Sequence, residues 1–155
     1  MIPDASHIHR ATPADLPDLI TMIHALSAFH NDTATITLDQ LRDAAFGTRP
    51  TCEILIAKRD GVAIGYAGLI RTFVIHSAQT RMDIHHLFVK PESRRTGVAC
   101  ALIAAARDHA HTLGATRLTI GTDPDNATSV ATYRAMGNLK EITGLGPRFW
   151  VGLDD

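Results

Sequence analysis

Along this chain the apolar positions switch between two periods, and the switches mark out its elements. Ile8-His9-Arg10-Ala11 reads as a short first strand. Thr12-Pro13-Ala14-Asp15 combines a hydroxyl cap, a first-turn proline and an acid, so it opens a helix. Leu16, Leu19, Ile20, Ile23 and Leu26 then fall at helical spacing, and Pro17 fits only if it too lies in the first turn. Thr37-Leu38-Asp39-Gln40 is a capping box for a short helix that stops near Phe46-Gly47. Ile54 to Ala57 reads as a strand, Asp60-Gly61 as a hairpin turn, and Val62 to Val74 as a long strand. Gly65 and Gly68 inside that strand point to a bulge, or to close approach by a ligand or another backbone. Met82 to Val89 is the next strand, closed by Pro91.

Ala99 to Leu113 has a helical stripe of Leu102, Ile103, Ala106, Ala110 and Leu113, with Gly114 as its stop. Arg117 to Gly121 reads as a strand, and Asp125 or Asn126 caps a helix running to about Met136, ended by Gly137. Arg148 to Leu153 reads as a last strand. The order β-α-α-β-β-β-α-β-α-β predicts an α/β fold with a mixed sheet: an antiparallel first half, then a β-α-β crossover, flanked by about four helices.

The 155 residues suit one domain, 1–155, with enough chain to bury a core. A net charge of −1 argues against a general nucleic-acid binder, so any basic patch is local. The two cysteines, Cys52 and Cys100, make no disulfide framework and read as buried free thiols in a reducing compartment. Met1-Ile2-Pro3-Asp4 lacks the features of a signal peptide, and no apolar run approaches the ~20 residues of a membrane span. A cytoplasmic protein with no membrane or nucleic-acid partner is expected.

The run Arg94-Arg95-Thr96-Gly97-Val98-Ala99 links a strand to a helix. The first N–H groups of a helix have no intrahelical partner, and the helix dipole adds partial positive charge there. Gly97 lets an anion approach the backbone, and Arg94 and Arg95 add charge, so this turn is expected to hold a phosphate or pyrophosphate. The spacing fits neither a Walker A loop nor a three-glycine dinucleotide fingerprint.

Arg94-x-x-Gly97-x-Ala99 resembles the Arg/Gln-x-x-Gly-x-Gly/Ala signature of the GNAT superfamily of acetyl-CoA-dependent N-acetyltransferases. The preceding Ile84-His85-His86-Leu87-Phe88-Val89-Lys90-Pro91-Glu92 is similar to the family's strand and Val-x-Pro-Glu turn. Asn126 and Tyr133-Arg134-Ala135-Met136-Gly137 resemble its later helix, and Ile8-x-Arg10-Ala11-Thr12-x-x-Asp15 its opening. Thr37 to Leu41, Phe46-Gly47-x-x-Pro50 and Leu55-x-Ala57 look like the diamine (spermidine/spermine) branch.

The resemblance implies acetyl-CoA between two splayed parallel strands, Met82–Val89 and Arg117–Thr122. The pyrophosphate would lie on the backbone of Arg95, Thr96, Gly97, Val98 and Ala99, with Arg94 nearby. Pantetheine would pair with the backbone of Leu87 and Val89, and Asn126 would orient it or the helix start. Tyr133 would donate a proton to the CoA sulfur during direct attack by a small-molecule primary amine. A homodimer, through the last strand, is also implied.

The chain departs from the diamine branch where that branch has adjacent acids: His85 and His86 stand there. Strand alternation puts His85 on the face shared with Leu87 and Val89, which makes it the candidate base, and His86 on the other. A core role for Tyr133 and for His85 stays open. So do a non-catalytic acyl-CoA sensor and an enzyme acting on protein or peptide amino groups. The pairs His7/His9 and His109/His111 lack the further ligands of a metal site, so no metal is expected.

Overall fold

Thr12 turns the chain from its first strand into its first helix. Its backbone N–H donates to Asp15 Oδ2 at 2.8 Å, closing a capping box. The computed structural model describes residues 6–144 and 146–153; the reading of Met1 to Asp4 lies outside them. Two compact units divide the chain, Met1–Gly121 and Thr122–Asp155.

The first unit holds a five-stranded sheet of β1 (His7–Arg10), β2 (Glu53–Arg59), β3 (Val62–Val74), β4 (Gln79–Val89) and β5 (Arg117–Ile120), in that spatial order. The first four strands pair antiparallel, and β4 pairs parallel with β5. This is the mixed sheet that the element order predicts. Helices α1 (Leu16–Phe29) and α2 (Leu38–Phe46) bury Leu16, Leu19, Met22, Ile23 and Leu41 against Ile54, Ile56, Tyr66 and Phe88. Pro17 sits in the first turn of α1, where its missing N–H costs no helical bond. Leu55, Ala57, Ala67 and Leu69 alternate with that set and are also buried, so they face the other way, where α3 (Val98–Thr112) covers the sheet. Cys100 lies between the buried positions of α3 and is exposed, and Cys52 is half-buried; both are free thiols, so burial does not hold for Cys100.

Gly65 answers to close approach by another backbone, because a Cβ there would lie 2.6 Å from the Phe88 carbonyl oxygen. Opposite Gly68 and Leu69 the register of β4 shifts: Gly68 pairs with His86 and Leu69 with Ile84, leaving His85 as an extra residue.

The second unit holds α4 (Ala127–Ala135), capped by Asn126, whose side chain accepts from the Ser129 N–H at 3.1 Å. Arg134 and Glu141 form a two-pronged ion pair at 2.8 and 3.0 Å. The last predicted strand does not form: residues 148–153 have no regular structure, and Phe149, Trp150, Val151 and Leu153 are exposed. Strand propensity gives a segment a preference, but a strand also needs a neighbour for its backbone N–H and C=O groups.

Candidate active site

The sheet opens where β4 outruns β5. Their pairing runs from Arg81–Arg117 to Ile84–Ile120, and β4 continues to Val89. On the other side, the Lys90 N–H donates to Ile64 of β3 at 2.9 Å. Alternation then turns the backbone groups of His86 and Phe88 toward β3, and those of Leu87 and Val89 toward the edge that β5 has left. Leu87 and Val89 therefore present an extended edge with no strand partner among the described residues, which an amide-bearing chain can extend.

At the end of this edge the chain turns through the short 3-10 segment Pro91–Ser93 into α3. Arg95 (φ 60°) and Gly97 (φ 88°) both take left-handed backbone, with Thr96 between them. Gly97 is the N-cap of α3, no side chain caps that helix, and its first turn has no acid. The contrast with α2 and α4 is chemical: Thr37 and Asn126 satisfy their helix starts, whereas the start of α3 leaves its N–H groups and dipole free for an anion. The Thr96 hydroxyl donates to the Ser93 carbonyl at 2.7 Å and accepts from Arg59 Nη2 at 3.3 Å. Arg59 was not among the sequence candidates. It ends β2 just before Asp60-Gly61, and only the hairpin pairing brings it to this turn.

Arg94, expected near the pyrophosphate, also makes contacts within the fold. Its Nε donates to the Val89 carbonyl at 2.9 Å, and its guanidinium lies 5.1 Å from the Phe29 ring centre and 5.9 Å from that of Phe88. It thus ties the end of β4 to the end of α1. Arg95 is exposed at the turn itself.

The bulge overturns the alternation argument for the two histidines. Their rings stack, centroids 5.0 Å apart and planes 7° from parallel, instead of pointing to opposite faces. His85, exposed, is the extra residue. His86, half-buried, lies two residues before Phe88 and on its face, with Nδ1 3.2 Å from the Tyr66 hydroxyl. Burial pushes the His86 pKa down, and electrostatic repulsion between it and His85 and His30 adds to this, so His86 favours the neutral imidazole. Tyr66 is 1% exposed, and burial pushes its phenol up, so it remains a hydroxyl.

In the second unit Tyr133 lies on α4 and is half-buried. Burial raises its pKa and a hydrogen bond with Ser129 partly offsets that, so it stays protonated at neutral pH. Asn126 is engaged as the cap of α4.

His109 does not group with His111 around a metal-like set of ligands; its Nε2 lies 3.4 Å from Glu53 Oε2. His9 stacks on His7 and lies 3.7 Å from Asp15. Among the described residues no group of three or more His, Cys, Asp or Glu side chains is placed to hold a metal ion, and no helix is long and apolar enough to cross a membrane.

Comparison with known proteins gives this geometry a family. The chain is 36% identical over 91 residues to the uncharacterized N-acetyltransferase YhfO of Bacillus subtilis (strain 168), a match covering 59% of this chain and 60% of that protein. It is 24% identical over 119 residues to an IAA acetyltransferase of Azospirillum brasilense, covering 77% of this chain and 75% of that one. Its fold is similar to that of an aminoglycoside acetyltransferase from an uncultured soil metagenomic sample, solved in complex with sisomicin. The TM-score is 0.81 at 16% identity, covering 98% of this chain and 100% of that one. A ribosomal-protein-alanine N-acetyltransferase from Brucella melitensis biovar Abortus 2308 gives a TM-score of 0.73 at 17% identity, covering 94% and 100%. The family model described as acetyltransferase (GNAT) family matches residues 20–137, most of the chain, and the protein belongs to that family.

Proposed function

We propose that the protein transfers an acetyl group from acetyl-CoA to a primary amine of a small molecule by direct attack. The observation that carries this reading is the uncapped start of α3 behind Gly97, set at the end of a β4 edge whose Leu87 and Val89 backbone groups have no strand partner among the described residues. The backbone of Arg95, Thr96, Gly97, Val98 and Ala99 would receive the pyrophosphate, with Arg95 and Arg59 supplying charge. Pantetheine amides would pair with Leu87 and Val89, within the limit that Arg94 already occupies the Val89 carbonyl.

The chemistry has four demands. An ammonium must lose a proton, so that its nitrogen lone pair can attack the thioester carbonyl carbon. The C–S bond of the tetrahedral intermediate must then break. The leaving thiolate must gain a proton, and the nitrogen must lose its second one. The His85–His86 pair lies on the strand that leads to the thioester and can take the first proton. The family resemblance gives Tyr133 the protonation of the leaving thiolate, and its protonated hydroxyl suits it. Asn126 serves by fixing the start of α4.

Two neutral-to-basic rings stand where the diamine branch has acids. A polyamine therefore finds no paired carboxylates at this point, and the acceptor class is the broader one of small primary amines. A cytoplasmic location and a homodimer through residues 148–153 belong to the same reading.

The test is thiol release from acetyl-CoA with a panel of small amines, amino acids and peptides, alongside calorimetric binding of CoA. Amine-dependent release for a small molecule supports the proposal. Tight CoA binding with no turnover for any amine would point instead to an acyl-CoA sensor, and turnover only with peptides to a protein acetyltransferase.

A further inference from the structure

We propose that His86 is the group that takes the proton from the acceptor amine, and that buried Tyr66 is the residue that positions it. This rests on the acetyl-transfer reading above, and it selects between two histidines that the sequence alone leaves side by side.

The bulge makes the selection. An unbulged strand would send His85 and His86 to opposite faces; the extra residue stacks them together at 5.0 Å. His85 is exposed, and its described contact is that stack. His86 alone reaches a hydrogen-bonding group, the Tyr66 hydroxyl, 3.2 Å from Nδ1. Tyr66 is fixed in turn, 1% exposed within the cluster that includes Phe88 and the α1 residues. An imidazole acts as a base when one nitrogen is held and the other presents its lone pair. In the tautomer we assign to His86, Nδ1–H donates to the Tyr66 oxygen and the lone pair lies on Nε2.

The charged neighbours favour the same state. His85 on β4 and His30 just past α1 both oppose a second positive charge on His86. Arg94 lies over the adjacent Phe88 ring. Asp83, the acid on this strand, accepts from the Thr119 hydroxyl. In the step itself the N–H bond of the ammonium breaks, its electron pair stays on nitrogen, and the proton bonds to Nε2. The imidazolium keeps its Nδ1–H bond to Tyr66 and later returns the proton to water.

Nitrogen-15 NMR of the imidazoles in the full chain reads this state without any turnover. His86 should be neutral at pH 7 with its proton on Nδ1, and Tyr66→Phe, which keeps the ring, should change the tautomer ratio. A proton on Nε2 in the unaltered protein overturns the proposal. Thiol release against pH supplies the kinetic readout, with circular dichroism to confirm that each variant folds. His86→Gln should lower kcat by about 10²–10⁴-fold and remove the acidic limb, whereas His85→Gln should keep the limb. Tyr66→Phe should lower kcat, leave KM for acetyl-CoA unchanged and move the limb to lower pH, because the imidazolium loses an acceptor. The opposite assignment, with the limb lost in His85→Gln and kept in His86→Gln, overturns it too. Absence of thiol release by the unaltered protein counts against acetyl transfer, while the NMR result still judges the Tyr66–His86 pair.

Discussion

Gly97 does work that no other residue type does without strain. Its φ of 88° belongs to the left-handed region, and a Cβ there would meet nothing within 4 Å, so the obstacle to replacement is backbone energy and not a clash. Gly97→Ala is expected to destabilise the protein by about 1–2 kcal/mol in urea unfolding. Because relief of that strain would re-aim the N–H groups of the turn, CoA affinity measured by calorimetry should fall as well, by up to about tenfold for ~1.4 kcal/mol. Tyr133 tests the chemistry instead of the grip. Tyr133→Phe should lower kcat by about 10²-fold or more and leave CoA affinity nearly unchanged, and an unaltered rate would remove Tyr133 as proton donor. Arg94 shows a motif residue whose contacts within the fold are not written in the motif. Its place in the signature sets it near the expected phosphate, and in the fold its Nε also holds the Val89 carbonyl and its guanidinium lies over two aromatic rings.

At the scale of elements, the clearest local signals were capping boxes and periodicity, because both depend on residues a few positions apart. Thr37 accepts from the Gln40 N–H at 3.2 Å, and the Gln40 side chain accepts from the Thr37 N–H at 2.9 Å, as the pattern predicts. Thr12 and Asp15 behave alike, but Asp15 also acquires partners from afar. Burial raises its carboxyl pKa; the Lys58 hydrogen bond, the Thr12 N–H and the charges of Lys58 and His9 outweigh that, and the net shift is downward. A carboxyl lowered on folding adds stability that is fully present above its unfolded pKa, near ~3.9, and lost as pH falls through the lower folded value. Acid unfolding of the wild-type chain should therefore steepen below about pH 4, and Asp15→Asn should be less stable at neutral pH with a flatter dependence in that range. The bulge at His85 belongs to this scale as well, and no residue pattern within β4 announces it. Gly65 and Gly68 across the strand were the hint, since glycine in a strand marks a bulge or a close approach. The hint carried the existence of an irregularity without its position in β4, which inter-strand pairing sets.

For the whole molecule, the mixed sheet, antiparallel first and then with a β-α-β crossover, and its flanking helices were readable because each element's apolar face needs a partner and short connections leave few arrangements. The last strand was the exception. The only tryptophan, Trp150, is 91% exposed in a segment with no regular structure. Its fluorescence at nanomolar concentration should be that of a water-exposed indole, fully open to a soluble quencher. Pairing of this segment with a second copy should shift the emission to the blue as concentration rises, and a constant spectrum up to high micromolar protein would count against a dimer through residues 148–153.

The sequence by itself determined what depends on neighbours along the chain: helix starts, strand and helix periods, and a glycine turn that resembles the GNAT family signature. Tertiary structure alone decided what depends on register between distant strands. It stacked His85 on His86, set Tyr66 against Nδ1, brought Arg59 to Thr96 and bound Arg94 Nε to the Val89 carbonyl. The physical reason is that a side chain's face follows from alternation only while pairing is regular. One extra residue resets it, and the hydrogen bonds that hold that residue in place come from other strands.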